Sequence, residues 1–393
     1  MEKFNFDEVV DRKGTACIKW DCQEKFYGTS GLLPFSIADA DYPVYQPILD
    51  ALKKRVDNGV LGYTDLCDEY ISAVAEWAGR RHGWKVEPCW IVPTEGLVPS
   101  MANAIEALTG PDDGVIVQPP VYDPFYSITN ATGRRMIKND LLRDEDGYRM
   151  DFEGLEKACA EGGRILLLCS PHNPVCRLWS EDELRRLAGI CARHGTIILS
   201  DEIHWDLTLG GRKHFTMGLI EEVSELVVVC TSCSKTFNIA GLETSNLIIP
   251  GEALREKYMK WLYSRYMFCP NVLGMEATKV ACQVGDEWVD AQAAYLTQNA
   301  EMVCDFMAEH LPKVKVAKPE ATYLLWFDMT AYGLSGDELV KRIADAGAGV
   351  NSGLHYGEDY DGFVRMNVAC PKKQLSAGLE CIKKALDALD ALA

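Results

Sequence analysis

The stretch from Val227 to Leu247, VVVCTSCSKTFNIAGLETSNL, sets the pattern for the middle of the chain. A run of apolar, mostly β-branched residues stops at a cluster of small polar residues, among which lies Lys235. Burying an unpaired ammonium group is costly, and a desolvated lysine loses its proton easily. A deprotonated lysine is a nucleophile toward carbonyl groups. The stretch therefore predicts a buried strand that ends beside a reactive lysine.

Five other short apolar runs match this one, and helical patterns alternate with them. They are apolar on both faces and rich in β-branched residues, which is typical of strands in a covered parallel sheet. The runs are CWIVP near Ile91, DGVIVQ near Val115, RILLLCS near Leu167, TIILSDE near Ile198 and SNLIIP near Ile248. Between two of them, SEDELRRLAGICARHG begins with a capping box of Ser180 and Glu183 and ends at Gly195. This alternation predicts βαβ units.

The pattern changes toward the C-terminus. VKVAKPEATYLLWFDM and GFVRMNVACP are typical of strands in a smaller sheet, a helix capped by Ser335 and Glu338 lies between them, and the chain is helical from Lys372. We predict an α/β fold in which residues 46–285 form a large domain with a mostly parallel sheet. Residues 286–393 form a smaller α+β domain, and the N-terminal segment 1–45 belongs to that small domain.

Composition restricts the classes of partner. The chain has 40 Lys and Arg against 58 Asp and Glu, a net charge of −18, which argues against nucleic acid or an anionic membrane as a partner. We expect neither a signal peptide nor a transmembrane helix. The 15 cysteines are scattered and fit a reducing cytoplasm. The pair Cys230 and Cys233 lacks the second pair that a zinc site needs, so no metal is expected.

Polar or aromatic side chains follow the other predicted strands, where ligands bind in open parallel sheets. Gly96 begins a helix whose N–H groups could hold a phosphate, and Tyr122 lies between stiffening prolines. Asn173 follows a third strand, and Asp201, which His204 could orient, follows a fourth. Each has a structural alternative: a plain connection, a core aromatic ring, an Asx-type turn or acids at a helix start.

These groups and Lys235 share one explanation. A phosphate cradle, a stacking ring, an amide, a buried acid and a lysine that traps an aldehyde together describe a site for pyridoxal phosphate. Asp201 would keep the pyridine nitrogen of the cofactor protonated, and Asn173 would donate to the ring oxygen. The residues therefore predict a pyridoxal phosphate enzyme.

The order of these motifs resembles fold type I pyridoxal phosphate enzymes, the aspartate aminotransferase superfamily. Within it the chain is similar to the MalY/PatB type of carbon–sulfur β-lyase, a cystathionine β-lyase family, from Arg12 to past Arg365. The motifs that carry this similarity are RKGTACIKWD at residues 12–21, FSIADADYP at 35–43, GYTD at 62–65, PPVYDPF at 119–125, PHNPVCRLWS at 171–180, SDEIHWDL at 200–207 and SKTFNIAGLETSN at 234–246.

The resemblance implies a role for each matching residue. Lys235 is the catalytic residue and the attachment point of the cofactor. The other implied cofactor contacts are Asp201 at the pyridinium, Asn173 and His204 beside the ring, Tyr122 stacked on it, and Gly96, Leu97 and Ser232 at the phosphate. Tyr63 would reach the phosphate of the neighbouring subunit, which implies a homodimer. Arg365 would bind the α-carboxylate of the substrate, with Ala38 and Tyr122 also on the substrate side.

The sequence also departs from the superfamily pattern. Glu243 stands where a phosphate-binding arginine is common, eight residues after the lysine. Cys176 replaces the usual glycine of NPTG, TEG stands for TPG, and ADADY stands for the ADMDF of the lyase type. The last three changes concern the substrate end more than the cofactor end.

Three functions follow from this interpretation. The first is a cytoplasmic β-lyase that converts cystathionine or another S-substituted cysteine to pyruvate, ammonia and a thiol. The second is an aminotransferase, because the same residues support both reactions. The third is a regulatory binding protein on the same fold.

Overall fold

The chain folds around a seven-stranded sheet, and the computed structural model describes residues 4–144, 147–267 and 271–391. Within these ranges the strands, numbered along the chain, are β1 Leu33–Pro34, β2 Ile91–Glu95, β3 Gly114–Val117, β4 Arg135–Lys138, β5 Leu142–Asp144, β6 Gly147–Arg149, β7 Gly163–Cys169, β8 Ile197–Asp201, β9 Val227–Thr231, β10 Thr244–Ile248, β11 Lys315–Val316, β12 Leu324–Asp328, β13 Ala348–Gly349, β14 Asn351–Ser352 and β15 Phe363–Asn367.

The helices surround this sheet and its smaller companion. In the same ranges they are α1 Ile18–Asp21, α2 Gln23–Tyr27, α3 Gln46–Asp57, α4 Asp68–His82, α5 Leu97–Leu108, α6 Pro124–Ala131, α7 Phe152–Ala160, α8 Glu181–His194, α9 Glu252–Ser264, α10 Val272–Val284, α11 Asp286–His310, α12 Gly336–Asp345 and α13 Lys372–Asp390. None of them has both the length and the apolar character that crossing a bilayer requires, as far as the chain is described.

The large sheet has the strand order β2, β10, β9, β8, β7, β3, β4. Only β10 runs antiparallel to its neighbours, so the predicted mostly parallel sheet is confirmed. All six predicted strands lie in it, whereas β4 was not predicted. The reason is that β4 is an edge strand in which Ile137 is the buried residue, so it has no continuous apolar run.

Both faces of the large sheet are covered, which explains the unbroken apolar runs. On β9, Val227 and Val229 belong to one hydrophobic cluster, whereas Val228 and Cys230 belong to the other. The same alternation holds along β7. Helices α5, α6 and α9 contribute to one cluster, and α4, α8 and α10 contribute to the other. Successive side chains of a strand therefore enter different cores.

The predicted helix ends are confirmed. The Ser180 side chain accepts a hydrogen bond from the Glu183 N–H, the Glu183 carboxylate accepts one from the Ser180 N–H, and α8 ends at Gly195 with φ of 64°. Ser335 and Glu338 form the same reciprocal pair at the start of α12. Each pair satisfies N–H groups that the first turn of a helix leaves without a partner.

The C-terminal part builds a second, antiparallel sheet in the order β11, β12, β15, β14. The N-terminal segment adds to this part of the molecule, because β1 pairs with β13 in parallel. The predicted division of the chain after residues 45 and 285 stays a prediction.

Residues 36–42, here called the N-terminal strap, are held by a buried charge cluster. Arg12 donates through Nη2 to Asp39 Oδ2 at 2.6 Å and through Nη1 to Asp41 Oδ1 at 2.8 Å. Lys19 Nζ lies 2.7 Å from Asp41 Oδ2, and these two side chains are 1% and 2% exposed. Two of the motifs noted in the sequence, at residues 12–21 and 35–43, thus contact each other.

We predict that Asp41→Ala lowers the midpoint of thermal unfolding, Tm, by about 6–20 °C, measured by circular dichroism. Removing one partner of a buried ion pair leaves an uncompensated charge, which costs roughly 3–5 kcal/mol, and about 2–4 °C accompanies each kcal/mol in a domain of this size. The control is Asp387→Ala, which removes an exposed pair with Lys383 on α13 and should change Tm by about 1–2 °C at most. Equal shifts in the two variants would contradict a structural role for the cluster.

Candidate active site

The structure brings most of the predicted site residues to one edge of the large sheet. Strands β2, β3, β7, β8 and β9 all run in the same direction, so their carboxyl ends meet at that edge. Asp201 is the last residue of β8, and Lys235 lies in the turn after β9. Asn173 and Tyr122 lie in the connections that follow β7 and β3. The sequence prediction that these side chains converge is therefore supported by the topology.

Lys235 is half-buried, and its turn is fixed from both sides. Its Nζ donates to the backbone oxygen of Ala38 in the N-terminal strap at 2.7 Å. Thr236 Oγ1 donates to Asp206 Oδ2 at 3.0 Å, and Asn238, with φ of 58°, bonds the strap through both ends of its amide. Desolvation lowers the pKa of Lys235 to about 8. The amine is thus close to losing its proton at neutral pH.

Asp201 is a buried carboxyl group whose burial raises its pKa to about 7. Its Oδ1 accepts from the Ile203 N–H at 3.1 Å. A turn follows it, so the alternative of an acid that caps a helix is wrong. The next residue, Glu202, differs because it is already bonded to His214 and Ser200. In the described chain Asp201 forms no ion pair within 4 Å, which leaves it able to pair with a cationic ring nitrogen.

His204 is also buried, and burial lowers its pKa to about 3, so it is neutral. Its ring stands edge-on to the ring of Tyr323, with the centroids 5.8 Å apart. Among the described residues its Nδ1 has no hydrogen-bond partner. A neutral imidazole beside the Asp201 turn fits the predicted place next to a cofactor ring.

Arg365 lies on β15, and only 3% of it is exposed. Its Nη2 donates to the Ser36 oxygen at 2.5 Å, and its Nη1 donates to Asn173 Oδ1 at 3.3 Å. Its Nε is buried without a partner, and no carboxylate lies within 4 Å of it in the part of the chain described. Arg365 is therefore not a surface residue that pairs with an acidic neighbour. A buried guanidinium without a counter-ion is suited to a carboxylate ligand.

A cavity of about 710 Å³ lies between Lys235 and Arg365. Ala38, Tyr122, Lys235 and Arg365 all line it. Acidic and basic side chains also line it, namely Lys25, Asp123, Asp337 and Lys341. A larger cavity of about 860 Å³ lies beside the β5–β6 hairpin, away from the predicted residues. The smaller cavity is the candidate substrate site because Lys235 and Arg365 line it.

The predicted phosphate side lies at the start of α5. Gly96 has φ of 67°, and its N–H already donates to the Glu243 oxygen at 2.9 Å. Glu243 thus contributes its backbone here, and its side chain is exposed. The Leu97 side chain is buried in the core, so this residue could offer a ligand only its backbone N–H. Ser232 Oγ donates to the Thr244 oxygen at 2.7 Å.

The N-terminus of α5 fits an anion. No side chain caps this helix in the described structure. Its first turn therefore offers N–H groups and the positive end of the helix dipole. Together with the lysine amine, the unpaired acid and the unpaired guanidinium, the residues present fit pyridoxal phosphate.

Tyr63 is fully exposed and does not line the cavity of its own chain. Its predicted reach into a neighbouring subunit stays a prediction.

The cysteine pair Cys230 and Cys233 was considered for a zinc site in the sequence. In the structure, Cys233 Sγ lies 3.6 Å from Cys282 Sγ. Across the described ranges, no three His, Cys, Asp or Glu side chains are grouped so that they could hold a metal ion.

Two residues that surround the site were not predicted. Asn367 Nδ2 donates to the oxygens of Ile37 and Asp39 in the strap, at 2.6 and 2.7 Å. The alternation along β15 could have indicated it, because Arg365 and Asn367 lie on the same strand face. Tyr323 donates to the Ala38 oxygen at 3.1 Å. No local pattern indicates Tyr323, since it precedes a strand that is buried throughout.

Comparison with known proteins finds similar chains that have been named. Cystathionine beta-lyase PatB of Bacillus subtilis (strain 168) is 40% identical over 385 residues, which cover 97% of this chain and 100% of that protein. The crystal structure of cystalysin from Treponema denticola contains a pyridoxal 5'-phosphate cofactor. It has a TM-score of 0.94 and 33% identity, covering 98% of this chain and 99% of that one. The PLP-bound C-S lyase of Staphylococcus hominis has a TM-score of 0.91 and 29% identity over 98% of both chains.

The family assignment rests on the chain as a whole. The family described as aminotransferase class I and II matches residues 31–382, which include both sheets and each predicted site residue. The relatives above align over nearly their full lengths as well. This chain therefore belongs to the class I and II aminotransferase family.

Proposed function

We propose that this chain is a pyridoxal phosphate-dependent carbon–sulfur β-lyase that acts on cystathionine or another S-substituted cysteine. The observation that carries the proposal is a set of three groups that have no counter-ion within 4 Å among the described residues: an amine with a lowered pKa, a buried acid at the end of β8 and a buried guanidinium on β15. The names of the similar proteins, a cystathionine beta-lyase and a C-S lyase, support the lyase reaction.

Each group has one task in this proposal. Bound pyridoxal phosphate supplies the electron sink that makes the Cα proton of an amino acid acidic. Asp201 keeps a proton on the pyridine nitrogen, and the first turn of α5 binds the phosphate. Asn173 accepts from Arg365 through Oδ1, so its amino group remains to donate toward the ring oxygen. Tyr122 offers its face to the ring, and Arg365 binds the substrate carboxylate with its planar fork.

Lys235 moves the proton. Its Nζ takes the proton from the substrate Cα, because a base with a pKa near the working pH is effective. The C–S bond then breaks, and the electron pair leaves from Cβ with the sulfur as a thiolate, which the proton neutralises. Water hydrolyses the remaining enamine, so the substrate and one water give a thiol, pyruvate and ammonia.

Two further features belong to the proposal. A homodimer is supported by the exposure of Tyr63, a large aromatic side chain in the GYTD motif. A cytoplasmic location is supported by the cysteines, since all 14 in the described chain are free thiols.

The test is a screen of amino acids for release of pyruvate, without any keto acid present. Cystathionine or another cysteine thioether should give pyruvate, ammonia and thiol in equal amounts. Lys235→Ala should lose the visible absorbance of the bound cofactor and all turnover, whereas Lys85→Ala, at a side chain that is 91% exposed, should keep both. Amine transfer to a keto acid without pyruvate release would instead identify an aminotransferase.

A second prediction concerns the carboxylate contact. Arg365→Lys should raise KM for the amino acid while the cofactor absorbance stays unchanged. A lysine keeps one of the two parallel bonds to the carboxylate, a loss of roughly 1.5–3 kcal/mol, which corresponds to about a tenfold to hundredfold weaker affinity.

The matched control is Arg143→Lys, because Arg143 pairs with Asp328 at 2.5 Å outside the site. Its steady-state KM should equal that of the parent enzyme. If Arg365→Lys also left KM unchanged, the substrate carboxylate would have another partner.

A further inference from the structure

The backbone oxygen of Ala38 has two hydrogen-bond donors of different kinds. Lys235 Nζ donates to it at 2.7 Å, and Tyr323 Oη donates to it at 3.1 Å. A carbonyl oxygen has two lone pairs, so both donors can be accommodated. Both donors nevertheless polarise the same oxygen, so each bond weakens the other. The lysine ammonium therefore shares its acceptor with Tyr323.

This carbonyl has little freedom to move, because the strap on either side of it is fastened. Arg365 and Asn351 donate to the Ser36 oxygen. Asn367 donates to the oxygens on both sides of Ala38, those of residues 37 and 39. Asn238 bonds both the N–H and the oxygen of residue 40. The position of the Ala38 oxygen is thus set by the fold rather than by the lysine.

Tyr323 is equally fixed. It is 1% exposed, and its backbone oxygen accepts from the Val368 N–H at 2.8 Å. Its ring lies edge-on to the ring of His204, with the centroids 5.8 Å apart. Burial raises the pKa of its hydroxyl group, so the group stays protonated and remains a donor. A Tyr323 hydroxyl therefore always occupies part of the acceptor that Lys235 uses.

We propose that Tyr323 is a positioning residue for Lys235: by sharing the Ala38 oxygen, which the strap holds in place, it limits how strongly that oxygen stabilises the protonated form of the lysine amine. The role rests on the proposed function, in which Lys235 must become a free base. An oxygen engaged only by the ammonium would stabilise the charged form more and would raise the pKa of the lysine. The hydroxyl of Tyr323 weakens that stabilisation.

The charges that act on Lys235 come from side chains other than Tyr323, although two of them, Asp39 and Arg365, also act on the Tyr323 hydroxyl. Asp39 on the strap and Asp201 at the end of β8 favour the ammonium, whereas Arg365 on β15 disfavours it. His204 is neutral near pH 7, because burial lowers its pKa to about 3. Replacing the tyrosine with phenylalanine leaves all four groups in place, so a change in the lysine can be assigned to the missing hydroxyl.

The test is Tyr323→Phe, with Tyr258→Phe as the matched control. Tyr258 is also buried and also donates to a backbone oxygen, that of Ser100, at 3.3 Å. In the holoenzyme, kcat of Tyr323→Phe, measured below the pKa of Lys235, should fall about threefold, equivalent to about 0.7 kcal/mol. The acidic limb of its kcat–pH profile should move up by about half a pH unit. The control should keep the limb of the parent enzyme.

A second measurement does not depend on the reaction. The full chain freed of cofactor is labelled with trinitrobenzenesulfonate across a pH series, and the modification of Lys235 is followed by peptide mass spectrometry. Its apparent pKa should be higher in Tyr323→Phe than in the parent and in Tyr258→Phe. An unchanged pKa would overturn the proposal even if kcat fell, because the tyrosine would then be only structural. A chain that released no pyruvate but showed the shift would refute the proposed function and leave the link between Tyr323 and Lys235 intact.

Discussion

The cost of burying ionisable groups at the end of an apolar sheet constrains the whole site. Asp201 and Lys235 follow neighbouring parallel strands whose side chains fill hydrophobic clusters on both faces. Water cannot solvate these groups fully, so the acid is pushed toward its neutral form and the amine toward its free base. Each group is thereby prepared for a partner that the chain does not contain, and the neighbouring elements serve to keep the two groups in place.

The N-terminal strap is the segment that contributes most to holding the site residues in place. It crosses the site between the turn of Lys235 and the strand of Arg365, and it offers backbone oxygens to both side chains. The strap is in turn fastened by the buried cluster of Arg12, Lys19, Asp39 and Asp41. Charged residues that do not line the cavity thus help to determine where the uncharged Ala38 carbonyl lies. Fixed dipoles of this kind need no reorganisation when a reaction begins.

Two departures from the superfamily pattern, Cys176 and Glu243, have physical explanations. Cys176 has φ of 61°, a conformation that favours glycine, and its thiol donates to the Leu324 oxygen at 3.0 Å. This bond offers one compensation for the strained backbone. Glu243 also has a positive φ, and its contribution to the site is a backbone oxygen that holds the Gly96 N–H. An acid is tolerated there because the residue is exposed, so its carboxylate stays hydrated.

The sequence by itself determined the alternation of strands and helices, the capped helix ends and the identity of the strand-end residues. These features are local, because periodicity, capping boxes and apolar runs are set by neighbours along the chain. The edge strand β4 was not predicted, because it buries only Ile137 and so has no continuous apolar run in the sequence. Only the tertiary structure decided that Tyr323 and Lys235 share one oxygen, that Asn367 fastens the strap, and that Arg365 is buried with no carboxylate within 4 Å among the residues that the structure describes. These contacts join residues hundreds of positions apart, and a hydrogen bond across such a distance leaves no spacing in the sequence to read.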